Sequence, residues 1–98
     1  MFIWLNKQGV RSDRGFEVQF VGRFDAEYRE GGRIVSLYVE DGTIGGLPAI
    51  LLDPDAFARW DGGEPIPADK QQEMMRNFRE AMEFQGLKLG VERGVAPE

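Results

Sequence analysis

The segment YREGGRIVSLYV, residues 28–39, decides the fold. At its centre, Gly31-Gly32 joins two runs in which apolar and polar residues alternate, the pattern of half-buried strands. Two consecutive glycines are typical of a type I′ hairpin turn, because both central positions of that turn need a positive φ. The turn therefore predicts an antiparallel hairpin in which Glu30 faces Arg33 and Tyr28 faces Val35.

This register divides the side chains of the hairpin between two faces. The apolar face continues with Ala26 opposite Leu37 and Phe24 opposite Val39. The other face places Arg29, Glu27 and Asp25 opposite Ile34, Ser36 and Tyr38. A slip of one residue would mix the two faces, so turn and pattern predict the same pairing.

Four other segments read as strands. Residues 16–20 alternate apolar and polar, whereas residues 2–5 and 48–52 are short apolar runs, and residues 87–92 alternate again. Residues 8–15 (QGVRSDRG) are polar and rich in turn formers, which predicts a loop.

A long amphipathic helix is predicted to begin near Pro67 and to end before Gly86. Its apolar stripe, at helical spacing, is Met74, Met75, Phe78, Ala81 and Met82.

Together these elements predict an α+β fold. We expect a mostly antiparallel β-sheet of about five to six strands, a short helix, and one long C-terminal helix packed on one face, followed by a last strand. The expected organisation is a single domain over residues 1–93 with a flexible tail at 94–98.

Composition narrows the possible partners. The 98 residues carry a formal net charge of −5, and the twelve basic residues are scattered. A nucleic-acid-binding surface needs clustered basic residues, so a basic protein is the better expected partner. The chain has no cysteine and no apolar run of membrane-spanning length, which favours a cytoplasmic protein away from membranes.

Catalytic groups are scarce. The sequence contains no His and no Cys, and Ser12, Ser36 and Thr43 stand in no nucleophile motif. We therefore expect no enzymatic activity, no cofactor and no metal site.

The segment LLDPDAFARWDGGEPI, residues 51–66, has two interpretations. In the structural one, Asp53 caps a helix of about two turns, Pro54 takes its first position, and Phe57 and Trp60 point into the core.

In the functional interpretation, Asp61 and Glu64 have no evident structural role. With Asp55 and Arg59 they form an exposed rim that contacts a basic protein partner. The alternative is that these four residues belong to a solvated loop.

Residues 54–86 also carry a family resemblance. The positions concerned are Trp60-Asp61, Pro65-Ile66, Asn77-Phe78, Ala81, Phe84 and Gly86, with the hairpin of residues 28–39 upstream. This arrangement resembles a small immunity-protein family of bacterial polymorphic toxin systems. The resemblance implies an α+β fold that binds and neutralises a cognate protein toxin without catalysis.

Two further hypotheses come from other classes. An edge strand at residues 2–5, which has no charged residue, could pair with its own copy in a homodimeric structural domain. A small-ligand or enzyme module would use carboxylates with Tyr28 or Tyr38, and it predicts a polar, concave pocket.

Overall fold

The computed structural model describes residues 1–93, which form eight strands and one helix. The first sheet contains, in spatial order, β1 (Phe2–Asn6), β2 (Gly9–Ser12), β3 (Phe16–Gly22), β4 (Asp25–Glu30) and β5 (Arg33–Tyr38), each antiparallel to the next. The second sheet contains β6 (Glu40–Ile44), β7 (Leu47–Leu52) and β8 (Lys88–Val91), and α1 (Ala68–Phe84) lies between β7 and β8 in the chain. The fold class is α+β. The predicted tail at 94–98 lies outside the described residues.

The hairpin of β4 and β5 has the predicted register. Glu30 pairs with Arg33 and Tyr28 with Val35, and the pairing continues to Asp25 opposite Tyr38. Gly31 and Gly32 adopt φ values of 61° and 76°, the region that a side chain disfavours. The predicted inward face is confirmed for the apolar pairs next to the turn.

The inner face of the first sheet builds the core with α1. Strand residues Val10, Val18, Tyr28 and Val35 lie in one row across β2 to β5, and each is at most 2% exposed. The helix adds Met74, Phe78, Ala81 and Met82 from the predicted stripe, all fully buried in the same cluster. Phe24 departs from the prediction, since it lies outside β4 and is 40% exposed.

The predicted number of strands is wrong, partly because residues 8–15 are not all loop. Residues 9–12 form β2, in which Val10 and Ser12 are buried. A Cβ at Gly9 would stand 2.1 Å from the Oε1 atom of Gln19 on β3, so a larger residue there would displace the Gln19 side chain. The glycine and the polar residues of β2 are typical of a loop, so the sequence pattern did not indicate a strand.

A second sheet was not foreseen. Val39 alone separates β5 from β6, so the chain passes directly from one sheet into the other. β8 pairs in parallel with β7, which needs a long crossover, and the chain supplies it with residues 53–67 and α1. The single, mostly antiparallel sheet of the prediction is therefore replaced by two sheets.

The helix is bounded by the residues that the sequence singled out. Pro67 precedes its first turn, and Gly86 follows its end with a φ of 81°. The Leu87 N–H donates to the Met82 oxygen (2.9 Å) and the Gly86 N–H to the Glu83 oxygen (3.0 Å), which is the Schellman arrangement. None of the helical structure in residues 1–93 has the length and apolar character that a membrane crossing needs.

The predicted short helix at residues 53–60 is absent, and successive turns take its place. The Ala56 N–H donates to the Asp53 oxygen and the Ala58 N–H to the Asp55 oxygen, both at 3.1 Å. The Asp53 carboxylate accepts the Asp55 N–H at 2.8 Å, so it closes a turn instead of capping a helix. The helical pattern is overridden because the chain must fold back immediately afterwards, where Arg59 pairs with Pro65.

One polar network crosses the core. The buried Tyr28 hydroxyl donates to the Glu30 carboxylate (2.6 Å) and accepts the Nδ2 hydrogen of Asn77 from α1 (2.9 Å). Lys70 of α1 pairs with Glu30 and with Glu73. Burial, and then the hydrogen bond to Glu30, raise the pKa of Tyr28 well above its usual value. The network therefore joins the helix to β4 at a fixed position.

Replacing Tyr28 with Phe tests this network. The change leaves the Asn77 amide without its acceptor, and we expect the free energy of unfolding to fall by about 1–3 kcal/mol at pH 7. Urea unfolding measures this loss. Tyr38→Phe is the matched control, because Tyr38 also donates to a glutamate two residues on, Glu40, but at the surface. An equal loss in both variants would contradict the network's role.

The wild type and Tyr28→Phe should also differ in how their free energies of unfolding depend on pH. A phenol whose folded pKa is raised stabilises the fold fully below the unfolded pKa of about 10, and this stabilisation is lost as the pH rises above 10. The wild type should therefore lose roughly 1 kcal/mol between pH 8 and pH 11 that Tyr28→Phe does not lose. Parallel alkaline curves for the two proteins would show that Tyr28 ionises equally easily in both states.

Candidate functional site

Residues 58–66, here called the Trp60 loop, fold back on themselves beside β5. The Trp60 N–H donates to the Glu64 oxygen (3.0 Å), and the Gly63 N–H donates to the Trp60 oxygen (2.8 Å). The Ile66 N–H donates to the Ala58 oxygen (2.9 Å) and closes the base of the loop. Gly63 has a φ of 94°, which explains a glycine at this reversal. The loop is therefore held by its own backbone.

Asp61 attaches the Trp60 loop to the outer edge of β5. The Asp61 N–H donates to the Ile34 oxygen (2.9 Å), and its carboxylate accepts the Ser36 N–H (2.7 Å) and the Ser36 hydroxyl (2.6 Å). These backbone groups of β5 point away from β4, so Asp61 occupies the place of a neighbouring strand. Asp61 therefore has a structural role, through contacts with a residue 25 positions away that no local pattern indicates.

Glu64 and Trp60 both contact Arg33, the first residue of β5. The Arg33 guanidinium pairs with the Glu64 carboxylate and lies 4.5 Å from the centroid of the half-buried Trp60 ring. A guanidinium at that distance is attracted by the aromatic face. Glu64 thus orients Arg33 on Trp60, so it also has the structural role that the sequence did not reveal.

These contacts frame an open depression of about 350 Å³, here called the Trp60 depression. It is lined by Gly32, Arg33, Ile34, Trp60, Asp61, Gly62 and Glu64. Ile34 contributes an exposed apolar side chain, at 38% exposure. The depression combines an aromatic ring, an aliphatic group, a guanidinium and two carboxylates on one face of the molecule.

The four predicted contact residues are all exposed, but only Asp61 and Glu64 line this depression. Asp55 pairs instead with Arg93, just after β8, at 3.3 Å. The Arg59 guanidinium donates to the Gly63 oxygen within the Trp60 loop (2.9 Å). Of the predicted rim, Asp61 and Glu64 therefore line the depression, whereas Asp55 and Arg59 do not.

Sequence reasoning missed Arg33 and Ile34. The signal for Ile34 was present, because the hairpin register places it among charged residues on the polar face. An apolar residue in that position faces away from the core, so the register predicts that Ile34 is exposed. Arg33 carried no such signal, since its contact with Trp60 depends on the long-range folding of the Trp60 loop.

A second exposed apolar region lies at the opposite edge of the first sheet. Ile3 and Trp4 of β1 are 55% and 51% exposed, and Phe84 at the end of α1 is 42% exposed. The Trp4 and Phe84 rings are in contact, with centroids 5.6 Å apart. These three residues are called the β1 patch below.

The tyrosines of the small-ligand hypothesis lie in ordinary structural settings. Tyr28 is buried with its hydroxyl engaged by Glu30 and Asn77. Tyr38 donates to Glu40 (3.0 Å), and this hydrogen bond raises its pKa. Within residues 1–93, His, Cys, Asp and Glu side chains form no group of three or more that could hold a metal ion.

Comparison with known proteins gives no match: no family model, no curated protein and no solved structure is similar to this chain.

Replacing Asp61 with Ala tests the attachment of the Trp60 loop. The variant loses both side-chain bonds to Ser36 and exposes the edge of β5, so we expect a loss of about 1–2 kcal/mol in the free energy of unfolding. Urea unfolding gives the loss, and light scattering follows the aggregation that a bare edge promotes.

Asp55→Ala is the matched control. Its ion pair with Arg93 is highly exposed, and such pairs contribute less than about 1 kcal/mol. An Asp61→Ala protein as stable as Asp55→Ala would show that the Trp60 loop is held by other contacts.

Proposed function

We propose that this protein is a small, acidic, non-enzymatic binding module of the bacterial cytoplasm, similar to an immunity protein, that neutralises a cognate protein toxin. The partner docks on the Trp60 depression. The observation that carries the proposal is the Arg33–Trp60 pair beside exposed Ile34, framed by Asp61 and Glu64. Trp and Arg are the side chains that dominate measured binding energies in protein interfaces.

Preorganisation supports this choice of surface. Asp61 is held by Ser36, and Glu64 and Arg33 hold one another against Trp60. A partner therefore meets side chains that already have fixed positions, so less conformational entropy is lost on binding. Solvated loop residues would offer the same charges without this advantage.

The negative charge of this chain favours a basic protein as the partner. The chain carries a net charge of −5, and two carboxylates frame the depression. A basic protein surface is attracted to this face at long range, and salt weakens that attraction. The remaining contact candidates, Asp55 and Arg59, belong to the outer part of the same proposed interface.

The immunity-protein resemblance supports the same surface. Its Trp60-Asp61 pair lies where the Trp60 loop meets β5, and Trp60 and Asp61 line the depression. The positions that carry the resemblance thus include positions that shape the proposed binding face.

The test is affinity capture from the native host with the tagged chain, followed by toxicity assays. We expect one basic protein, captured better at low than at moderate salt, that is toxic when expressed alone and harmless when co-expressed with this chain. An Ile34→Ala/Glu64→Ala variant should reduce its affinity at least tenfold, because the change removes an apolar contact and an acidic one.

Val21→Ala/Glu83→Ala is the matched control, since it also removes one exposed apolar and one exposed acidic side chain, away from the depression. Equal affinity of both variants for the captured protein would exclude the Trp60 depression as its docking face. A captured protein that is not toxic would exclude the immunity role.

A further inference from the structure

The two edge strands of the first sheet, β5 and β1, differ in whether their outward backbone groups have hydrogen-bond partners. At β5, Asp61 satisfies the Ile34 oxygen and the Ser36 N–H. At β1, the other edge, the strand order places β2 on one side only, and the described residues place no strand on the other. An open edge is a template for another strand, and natural proteins block such edges with charges or covering segments. The segment Phe2–Asn6 has no charged residue, and within residues 1–93 no side chain caps its outer edge as Asp61 caps β5.

The backbone groups that β1 offers can be identified from its ladder. The Asp13 N–H donates to the Met1 oxygen (3.1 Å), and Ile3 lies opposite Arg11. Hydrogen-bonded and non-hydrogen-bonded pairs alternate in an antiparallel ladder, so Met1 and Ile3 face β2. The N–H and C=O groups of Phe2 and Trp4 consequently point to the open edge. A register shift between Trp4 and Asn6 ends the regular stretch.

We propose that β1 pairs in antiparallel fashion with β1 of a second copy of this chain, about a twofold axis at Ile3. In this register Phe2 of one copy lies opposite Trp4 of the other, and the two residues exchange both backbone hydrogen bonds. By symmetry, Trp4 of the first copy and Phe2 of the second also exchange both backbone hydrogen bonds. All four outward groups of each strand are then satisfied, and the two sheets become one continuous sheet.

The side chains of β1 suit a copy of themselves. Ile3 meets Ile3 across the axis, in a non-hydrogen-bonded pair whose side chains are close. On the inner side, Trp4 of the exposed β1 patch meets Phe2 of the other copy, and such aromatic pairs are favourable. The strand has no charged residue, so no like charges oppose one another within it.

Charges at the ends of the strand support the same orientation. Lys7 follows β1 at one end, and Asp13 lies beside Met1 at the other. Asp13 already pairs with the N-terminal amine of its own chain (3.0 Å), and the antiparallel arrangement keeps the two Lys7 side chains at opposite ends of the paired strands. A parallel arrangement would bring the two lysines together instead.

The dimer extends the proposed function without depending on it. β1 and β5 are opposite edges of the sheet, so the twofold axis leaves both Trp60 depressions accessible. The assembly would then present two identical binding faces, which strengthens binding to any partner that reaches both.

Sedimentation velocity from nanomolar to near-millimolar protein tests the proposal. We expect a concentration-dependent dimer that higher salt strengthens, because two chains of −5 repel one another. Ile3→Lys and Ile3→Glu each place like charges on the axis and should weaken the dimer about tenfold or more. An equimolar mixture of the two variants should restore it.

A cysteine at the axis gives an independent measurement. The chain has no cysteine, and the Cα atoms of a non-hydrogen-bonded pair are close enough for a disulfide. Ile3→Cys should therefore form a disulfide-linked dimer faster than Val21→Cys, which is equally exposed at 54% against 55%. A wild type that stays monomeric at every concentration, or Ile3→Lys and Ile3→Glu that each dimerise as the wild type does, would overturn the proposal. The dimer is measured on this chain alone and should strengthen with salt, whereas toxin capture needs a partner protein and should weaken with salt. Either one can therefore fail while the other succeeds.

Discussion

The hydrogen bond between the Asp61 carboxylate and the Ser36 N–H holds the Trp60 loop against the edge of β5. One acidic side chain and its own N–H occupy two outward backbone groups of β5, the Ile34 oxygen and the Ser36 N–H, which would otherwise be open to a further strand. The same contact fixes the Trp60 loop against the sheet. With the loop fixed, Trp60 lies against Arg33, and both residues line the Trp60 depression. A charge that appeared dispensable in the sequence is thus part of the architecture.

Closing one edge leaves the molecule asymmetric. Strand β5 carries a preorganised mixture of aromatic, aliphatic and charged groups, whereas β1 carries uncharged, exposed apolar groups and open backbone positions. The first arrangement suits a charged heterologous partner, and the second suits a copy of itself. Between them, the Tyr28–Asn77 bond ties the helix to the sheet, so both edges stand on one rigid framework.

The sequence predicted what is encoded locally. The hairpin register follows from Gly31-Gly32 and from the alternation on both sides, and the helix follows from its apolar spacing and Gly86. Strand β2 was not predicted because Gly9 is a turn former and the polar Ser12 takes the inward position next after Val10, so no apolar alternation is visible. The short helix failed because its capping pattern also suits a turn, and the pairing of Arg59 with Pro65 decided between the two.

The candidate site was predicted only in part, for the same physical reason. Asp61 and Glu64 were singled out by their charge, but their partners Ser36 and Arg33 are 25 and 31 residues away in the chain. No local pattern reports contacts of that range. Ile34 could have been found, since the predicted register already placed it on the polar face.

Amide hydrogen exchange measured residue by residue tests the contrast between the two edges most directly. At low protein concentration, the Ser36 amide should be protected by Asp61, while the Phe2 and Trp4 amides exchange freely. At high concentration, Phe2 and Trp4 should gain protection and Ser36 should remain unchanged. A Ser36 amide that exchanges as freely as Phe2 and Trp4 would contradict a closed β5 edge, and Phe2 and Trp4 amides already protected at high dilution would contradict an open β1 edge.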